Sequence, residues 1–281
     1  MADTKIEWAN KVWNPVTGCS KISPGCLNCY AERMAKRLAG RFGYPVDNHF
    51  SVTIHPHRLG EPAAWRKSKR VFVCSMADLF HEEVPVEFLL QIFGRMNAAK
   101  HHIFMLLTKR PENVLDFCMQ VGLVPSGLPS PFCSTPSGEA WPKNVGLGCT
   151  AENQEMADKR IPILLQIPAE VRFVSIEPML GSVDISSFMG SVSGCTINCP
   201  TTKNSCRAQS GDCRLSVHTL RGIDWVICGG ESGPKARYMN PEWASSIKRQ
   251  CKKNNVPFFM KQMSGKTPIP DFLQGREFPE I

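Results

Sequence analysis

Residues 70–108 read RVFVCSMADLFHEEVPVEFLLQIFGRMNAAKHHIFMLLT. The two flanks, RVFVCSM and HIFMLLT, are short apolar and β-branched runs, the pattern of a strand buried on both faces. Between them, residues 87–99 carry Phe88, Ile92, Phe93 and Met96 at helical spacing. A helix joining two such strands is the usual crossover between parallel neighbours. The same kind of run recurs on either side as KVWNPVTG, NVGLGCT, VRFVSIEP, DWVICGG and VPFFMKQ. Helical patterns fall between them: residues 30–42, with Ala31, Met34, Ala35, Leu38 and Phe42, and a helix after Asn240 opened by Pro241, with Trp243, Ile247 and Cys251 on one stripe. The expected fold is α/β, a partial or complete parallel (β/α) barrel of about six to seven units.

A chain of 281 residues fits a single such domain spanning residues 1–281. Two segments break the rhythm. Residues 118–143 are rich in Pro, Ser and Gly and read as a long loop. Residues 190–221 are polar, contain four cysteines and read as a cysteine-rich insertion. No apolar run approaches the roughly 18 residues needed to span a bilayer, and the opening MADTKIEWANKVW lacks a secretory pattern. A soluble, cytoplasmic protein without a membrane partner is expected, its thirteen cysteines serving as thiols or metal ligands. The net charge of +8 favours an anionic partner such as a nucleic acid or nucleotide. The positive residues are scattered through KRLAGR, RKSKR and KRQCKK, a distribution that suits solvated helix faces better than a binding patch.

Cys19, Cys26 and Cys29 form C-x6-C-x2-C between the first strand and first helix, at the end of the barrel where chemistry gathers. Three thiolates from one loop can hold three irons of a [4Fe-4S] cluster and leave the fourth open to a small molecule. Pro24 and Gly25 bend the loop, and the following helix N-terminus suits an anionic cluster. Zinc completed by a distant fourth ligand and unrelated free thiols are the alternatives. Cys195, Cys199, Cys206 and Cys213 give C-x3-C-x6-C-x6-C, suited to zinc or a second cluster that would staple the insertion, with free thiols in a disordered segment as the alternative. Cys74, Cys149, Cys228 and Cys251 lie in apolar runs and read as packing residues.

The ends of the expected strands carry a polar ring: Asn14, Ser75, Asp78, Thr108, Lys109, Arg110, Thr150, Glu152, Glu177, Glu231, Ser232, Lys261 and Gln262. SIEP and GGES set Glu177 and Glu231 directly after apolar strands, where a buried carboxylate needs a partner. With Lys109 they are the catalytic candidates. Ser75, Asp78, Thr108, Arg110, Thr150, Glu152, Gly229, Gly230 and Ser232 are the cofactor-binding candidates; the glycines would let backbone amides approach an anion. His81, beside this ring, reads as a structural side chain.

EWANKVWNPVTGCSKISPGCLNCYAERMA resembles the phage-associated three-cysteine-motif proteins, a family related to radical S-adenosylmethionine enzymes. The resemblance continues through SMADLFHEEVP, LLTKRPEN, NVGLGCTAENQ, SIEPMLG, DWVICGGESGPKARYMNPEW and VPFFMKQ. It implies an iron-sulfur enzyme that takes an electron from a donor and cleaves S-adenosylmethionine to a 5′-deoxyadenosyl radical, which abstracts hydrogen from a substrate. The spacing departs from the C-x3-C-x2-C usual in such enzymes, and SMAD stands where a Gly-Gly-Glu run often binds the methionine amino group. The phage association and the charge point together to a nucleic acid or nucleotide substrate, for which Lys109, Arg110 and Lys261 would line the open face and Lys67, Lys69 and Arg70 would not. The alternative is a zinc-stabilised nucleic-acid-binding protein without catalytic activity.

Overall fold

The structure, a computed structural model, describes residues 4, 6–123, 141–192 and 220–280. All seven apolar runs are strands of one sheet: β1 (Lys11–Trp13), β2 (Arg70–Val73), β3 (Ile103–Thr108), β4 (Val145–Thr150), β5 (Arg172–Ile176), β6 (Trp225–Gly229) and β7 (Phe258–Gln262). They are ordered as in the chain, with every neighbouring pair parallel. The sheet is open, with β1 and β7 at its edges, so the barrel is partial. The crossovers carry α1 (Tyr30–Leu38), α2 (Val86–Ala98), α3 (Pro111–Gln120) and α4 (Gln154–Leu164), and α5 (Pro241–Lys253) joins β6 to β7.

The helices bury the outer face of the sheet in one large apolar core that takes in Phe88, Ile92 and Met96 of α2 and Ile247 and Cys251 of α5. The concave face has its own core of large rings: Trp8, Phe72, Phe173, Trp225 and Phe259, with Met105 and Ile227. Seven strands curling inward cannot all present bulky side chains, and the spaces come from NVGLGCT. Its glycines lie opposite the large groups, Gly146 beside Met105 and Gly148 beside Phe173. A Cβ on Gly148 would lie 2.5 Å from the Phe173 ring, well inside contact distance. Gly148→Val should therefore cost about 1–3 kcal/mol through overpacking, read as a lower denaturant midpoint with an unchanged slope. Beyond this aromatic layer, towards the C-terminal ends of the strands, the concave face turns polar with Thr150, Ser175, Glu177 and Lys261.

Two expectations change. Helix α1 stops at Leu38 instead of reaching Phe42, because Gly40 and Phe42 take left-handed backbone, φ 73° and 52°; Phe42 is left exposed. Helix α3 runs through Cys118, which is buried in the core, so the proposed loop starts later. The ends of the 190–221 segment meet as an antiparallel pair, Ser191–Val192 with Leu220–Arg221, but Cys195, Cys199, Cys206 and Cys213 lie outside the described residues, as does Cys133. Cys74, Cys149, Cys228 and Cys251 are buried as packing residues. No helix among the described residues is long and apolar enough to cross a membrane.

Candidate functional site

After β1 the chain pairs Val16–Thr17 antiparallel with Thr53–Ile54 and turns at Gly18, φ 86°. Only glycine fits there, since a Cβ would lie 2.0 Å from the Ser51 carbonyl oxygen. The Cys19 amide donates to the Phe50 carbonyl at 3.0 Å, a short 3-10 turn covers Pro24–Cys26, and Cys29 caps the start of α1. All three thiols are half-buried and line one cavity of about 140 Å³, with Tyr30, Ser75, Asp78, Thr108, Lys109, Arg110 and Thr150 on its walls. The loop over the first strand thus gathers the predicted cysteines at the C-terminal ends of β2, β3 and β4.

Three buried ionic clamps hold this loop. Glu152, with no solvent exposure, pairs with Arg160 at 2.8 Å and accepts the Gly25 amide at 3.0 Å; a Cβ on Gly25 would strike its carboxylate at 2.9 Å. Glu231 accepts from Asn28 Nδ2 at 2.9 Å, from the Arg237 amide at 2.8 Å and from the Arg237 guanidinium, which also donates to the Pro24 carbonyl at 2.9 Å. Arg110, only 2% exposed, donates to Ser20 Oγ at 2.7 Å and to Glu82 at 3.0 Å, faces Asp78 at 3.4 Å and reaches Cys19 Sγ at 3.6 Å. Asp78 in turn accepts from the Thr108 hydroxyl at 2.7 Å and the Lys109 amide at 2.9 Å. His81 is structural, accepting the Glu83 amide on Nδ1 and bonded through Nε2 to Ser20 Oγ.

Arg110, Asp78, Thr108 and Glu152 are engaged within the chain and position the cysteine loop, and the first three also line the cysteine cavity. Glu231 does the same through Asn28 and Arg237. In GGESG the Gly230 amide is already engaged, donating to the Gln262 carbonyl at 2.9 Å, and a Cβ there would lie 2.5 Å from the Ser264 nitrogen. Gly229 needs no such space, its Cβ position standing 3.5 Å from Glu177. Gly233, φ 109°, makes room for the Arg33 guanidinium of α1, which also donates to the Ser232 carbonyl at 3.1 Å. Ser75 uses its carbonyl to accept the Tyr30 hydroxyl and its Oγ on Asn14 at 3.3 Å.

A second cavity, about 330 Å³, opens beside the first and shares Gly25, Cys29, Tyr30, Phe72, Leu107, Lys109 and Thr150 with it. Its walls also hold Ser175, Glu177, Glu231, Ser232, Lys261 and Gln262. Glu177 pairs with Lys261, while Lys109 makes no ion pair among the described residues. All three catalytic candidates, Glu177, Glu231 and Lys109, border this cavity.

The thiols are not equivalent. Burial raises the Cys19 pKa, helped by Asp78 and only partly offset by Arg110. At Cys26 burial is outweighed by the Lys109 charge and by hydrogen bonds from Ile22 and Ser23, so its pKa is lowered. Burial holds Cys74, Cys118, Cys149 and Cys251 up at about 12. Alkylation follows the thiolate, so iodoacetamide should label Cys26 before Cys19 in metal-free protein at neutral pH and leave those four unreacted; mass mapping of the first-labelled peptide checks the order.

Among the described residues no group of three or more His, Cys, Asp or Glu side chains is placed to hold a metal ion, so the zinc reading of the loop gains no support. The donor set does suit an iron-sulfur cluster: three thiols from one loop border a single cavity, with the Lys109 and Arg110 cations against them. Sequence reasoning missed Asn28, Arg160, Arg237 and Tyr30.

An open parallel α/β half-barrel with its polar groups at the C-terminal strand ends is thus the class of protein. The chain belongs to the family described as "Protein of unknown function (DUF5131)", whose model matches residues 3–275. No curated protein matches. Among solved structures, a mutant of spore photoproduct lyase and spore photoproduct lyase complexed with dinucleoside spore photoproduct are each similar at a TM-score of 0.50 and 8% identity, over 92% of this chain and 78% of theirs. The similarity is one of fold.

Proposed function

We propose that this chain is an iron-sulfur enzyme of the radical S-adenosylmethionine type, phage-associated like the three-cysteine-motif proteins it resembles, that acts on a nucleic acid or nucleotide. The observation that supports it most is the position of Cys19, Cys26 and Cys29, which border one cavity at the C-terminal ends of the strands beside an adjoining polar cavity. When bound, a [4Fe-4S] cluster held by these thiols supplies the single electron for cleaving S-adenosylmethionine. The chain's own residues do the rest. Glu152, Glu231 and Arg110 fix the loop, Lys109 places positive charge against Cys26, the Glu177–Lys261 pair offers partners for the amino and carboxylate groups of the cofactor, and the aromatic layer beneath excludes water. A reduced electron donor is the partner this chemistry requires.

The substrate reading rests on the charge of +8, on Lys109, which makes no ion pair among the described residues, and on spore photoproduct lyase being seen with dinucleoside spore photoproduct. Arg110 is too buried to contact a polynucleotide, whereas Lys67 and Lys69 precede β2 and lie at the opposite end of the sheet from the cysteines. Lys109→Ala should weaken nucleic-acid binding and flatten its salt dependence, while the Lys67→Ala, Lys69→Ala double variant should do little. Equal effects would mean diffuse attraction. Zinc without iron in the purified protein, together with salt-sensitive nucleic-acid binding, would favour a binding protein without catalysis.

A further inference from the structure

The turn after α1 holds an aromatic residue in solvent at a conformational cost. The Tyr44 amide donates to the Arg41 carbonyl at 2.9 Å, closing a four-residue turn whose central residues, Phe42 and Gly43, are both left-handed, φ 52° and 84°. That is the type I′ pattern, which ordinarily takes Asn, Asp or Gly. Among the described residues three other than glycine have positive φ: Phe42, Cys74 and Asn255. Asn255 is of a type that tolerates the conformation, and Cys74 is buried in the core. Phe42 has neither reason. It is 72% exposed, so packing does not offset the strain, and an Asn there would relieve it. The surroundings nevertheless hold it in place. The Arg58 guanidinium donates to the Phe42 carbonyl at 2.6 Å and to the Asn14 carbonyl at 3.0 Å, and a Cβ on Gly43 would lie 2.7 Å from the His55 ring. Strain imposed in this way, with no gain to the fold, points to a use outside it.

The base of the turn ties it to the cysteine loop. Tyr44 is buried with Ala31, Ala35 and Met76, and Cys29 and Phe50 pack against the same small cluster. Phe50 also lines the cysteine cavity and accepts the Cys19 amide. Around the tip the charges are of one sign. Lys36, Arg37 and Arg41 are exposed and make no ion pair among the described residues, and residues 33–46 contain no Asp or Glu. An exposed aromatic face beside several cations matches a stacked base with its phosphates. We infer that the Arg41–Tyr44 turn is a nucleic-acid contact outside the two cavities, with Phe42 stacking on the face of an unpaired base and Lys36, Arg37 and Arg41 meeting the flanking phosphates. This rests on the nucleic-acid reading above and adds an anchor for the strand beside the cysteine loop. A second copy of the chain fits the tip less well, because two such turns would set cations against cations.

Fluorescence anisotropy tests this, with the full-length protein titrated over a range of salt against a short labelled single strand, as DNA and as RNA, and against the DNA duplex of the same sequence. Phe42→Asn should weaken single-strand binding about fivefold to a hundredfold, the range of one stacked base. Its salt slope should stay as in the wild type, and its duplex binding should fall much less. Phe42→Tyr, which keeps the ring, should retain the single-strand affinity. Arg37→Ala combined with Arg41→Ala should instead flatten the slope of log affinity against log salt by roughly one for each charge removed. The denaturant midpoint of Phe42→Asn should rise, because Asn adopts the left-handed conformation more readily; a loss of affinity in a better-folded protein is then not damage to the fold. Unchanged single-strand affinity in Phe42→Asn, an equal loss on the duplex, or a lowered midpoint would each overturn the inference. So would a dimer in sedimentation velocity that Phe42→Asn dissolves while oligonucleotide affinity stays the same, which assigns the turn to a second copy. Binding that depends on Lys109 and not on Phe42 would overturn the inference and leave the nucleic-acid reading standing, whereas no binding to any of the probes would remove both.

Discussion

Glu152→Ala should lower stability by about 3–5 kcal/mol, the cost of stranding one partner of a buried ion pair. Glu152 has no exposed surface, and its removal leaves the Arg160 guanidinium, 2% exposed, with only the Thr150 carbonyl at 2.8 Å and the Gly25 amide without its acceptor. Two consequences separate this from ordinary core damage. Denaturant unfolding should show the loss, and native-state hydrogen exchange should show the Gly25 amide and its neighbours opening well before global unfolding. Cys26, next to the freed Gly25 amide, should then be alkylated faster than in the wild type, while Cys19, between Arg110 and Asp78, keeps its rate. A variant that loses stability while keeping the wild-type rate at Cys26 would place Glu152 in the scaffold alone.

The second large effect is an acid-sensitive loop. Burial disfavours the charge of Glu231, but the Arg237 guanidinium and amide and the Asn28 amide outweigh it, so its carboxyl titrates below the ordinary range; Glu152 is lowered likewise, against burial, by Ser23 and Arg160. A folded-state pKa below the unfolded value contributes stability that is fully present above the unfolded carboxyl pKa, about 4.3. It is lost as pH falls through the folded values. Thermal midpoints should hold steady from neutral pH to about 5 and fall steeply below about 4.3. Glu231→Gln should be less stable at neutral pH, since Arg237 then faces a neutral amide, and should show a shallower acid decline. Parallel acid profiles for variant and wild type would contradict this assignment. Arg237 is partly exposed, so the loss from Arg237→Ala should be smaller than that from Glu231→Ala.

The fold was legible because strands buried on both faces cannot alternate with polar residues. RVFVCSM, HIFMLLT and VRFVSIEP could only be strands of a covered sheet, and their spacing left room for one helix each. The glycines of NVGLGCT carry their meaning in register, opposite Met105 and Phe173, which a linear reading does not contain. The early end of α1 was readable at Gly40, where a left-handed residue stops a helix, but the apolar Phe42 on the same stripe pointed the other way. The cysteine loop could be located by its motif, whereas the clamps that shape it join residues far apart in the chain, Gly25 to Glu152 and Asn28 to Glu231. Arg110 and Glu231 had the charge and strand-end position of ligand-binding groups. Only the positions of Asp78, Ser20, Asn28 and Arg237 reveal that both are already satisfied. Trp8 lies ahead of every strand, and only the sheet's curl brings its ring against Phe72, Phe173 and Trp225 on the concave face.

The central claim is that Cys19, Cys26 and Cys29 hold a cluster that cleaves S-adenosylmethionine. The direct measurement is chromatography of products after anaerobically reconstituted, reduced protein is mixed with S-adenosylmethionine. About four irons should bind per chain, with 5′-deoxyadenosine and methionine released, and both the iron and the products should be lost in Cys26→Ala. A wild-type protein that binds its iron and releases neither product, or that releases them undiminished from Cys26→Ala, would contradict it.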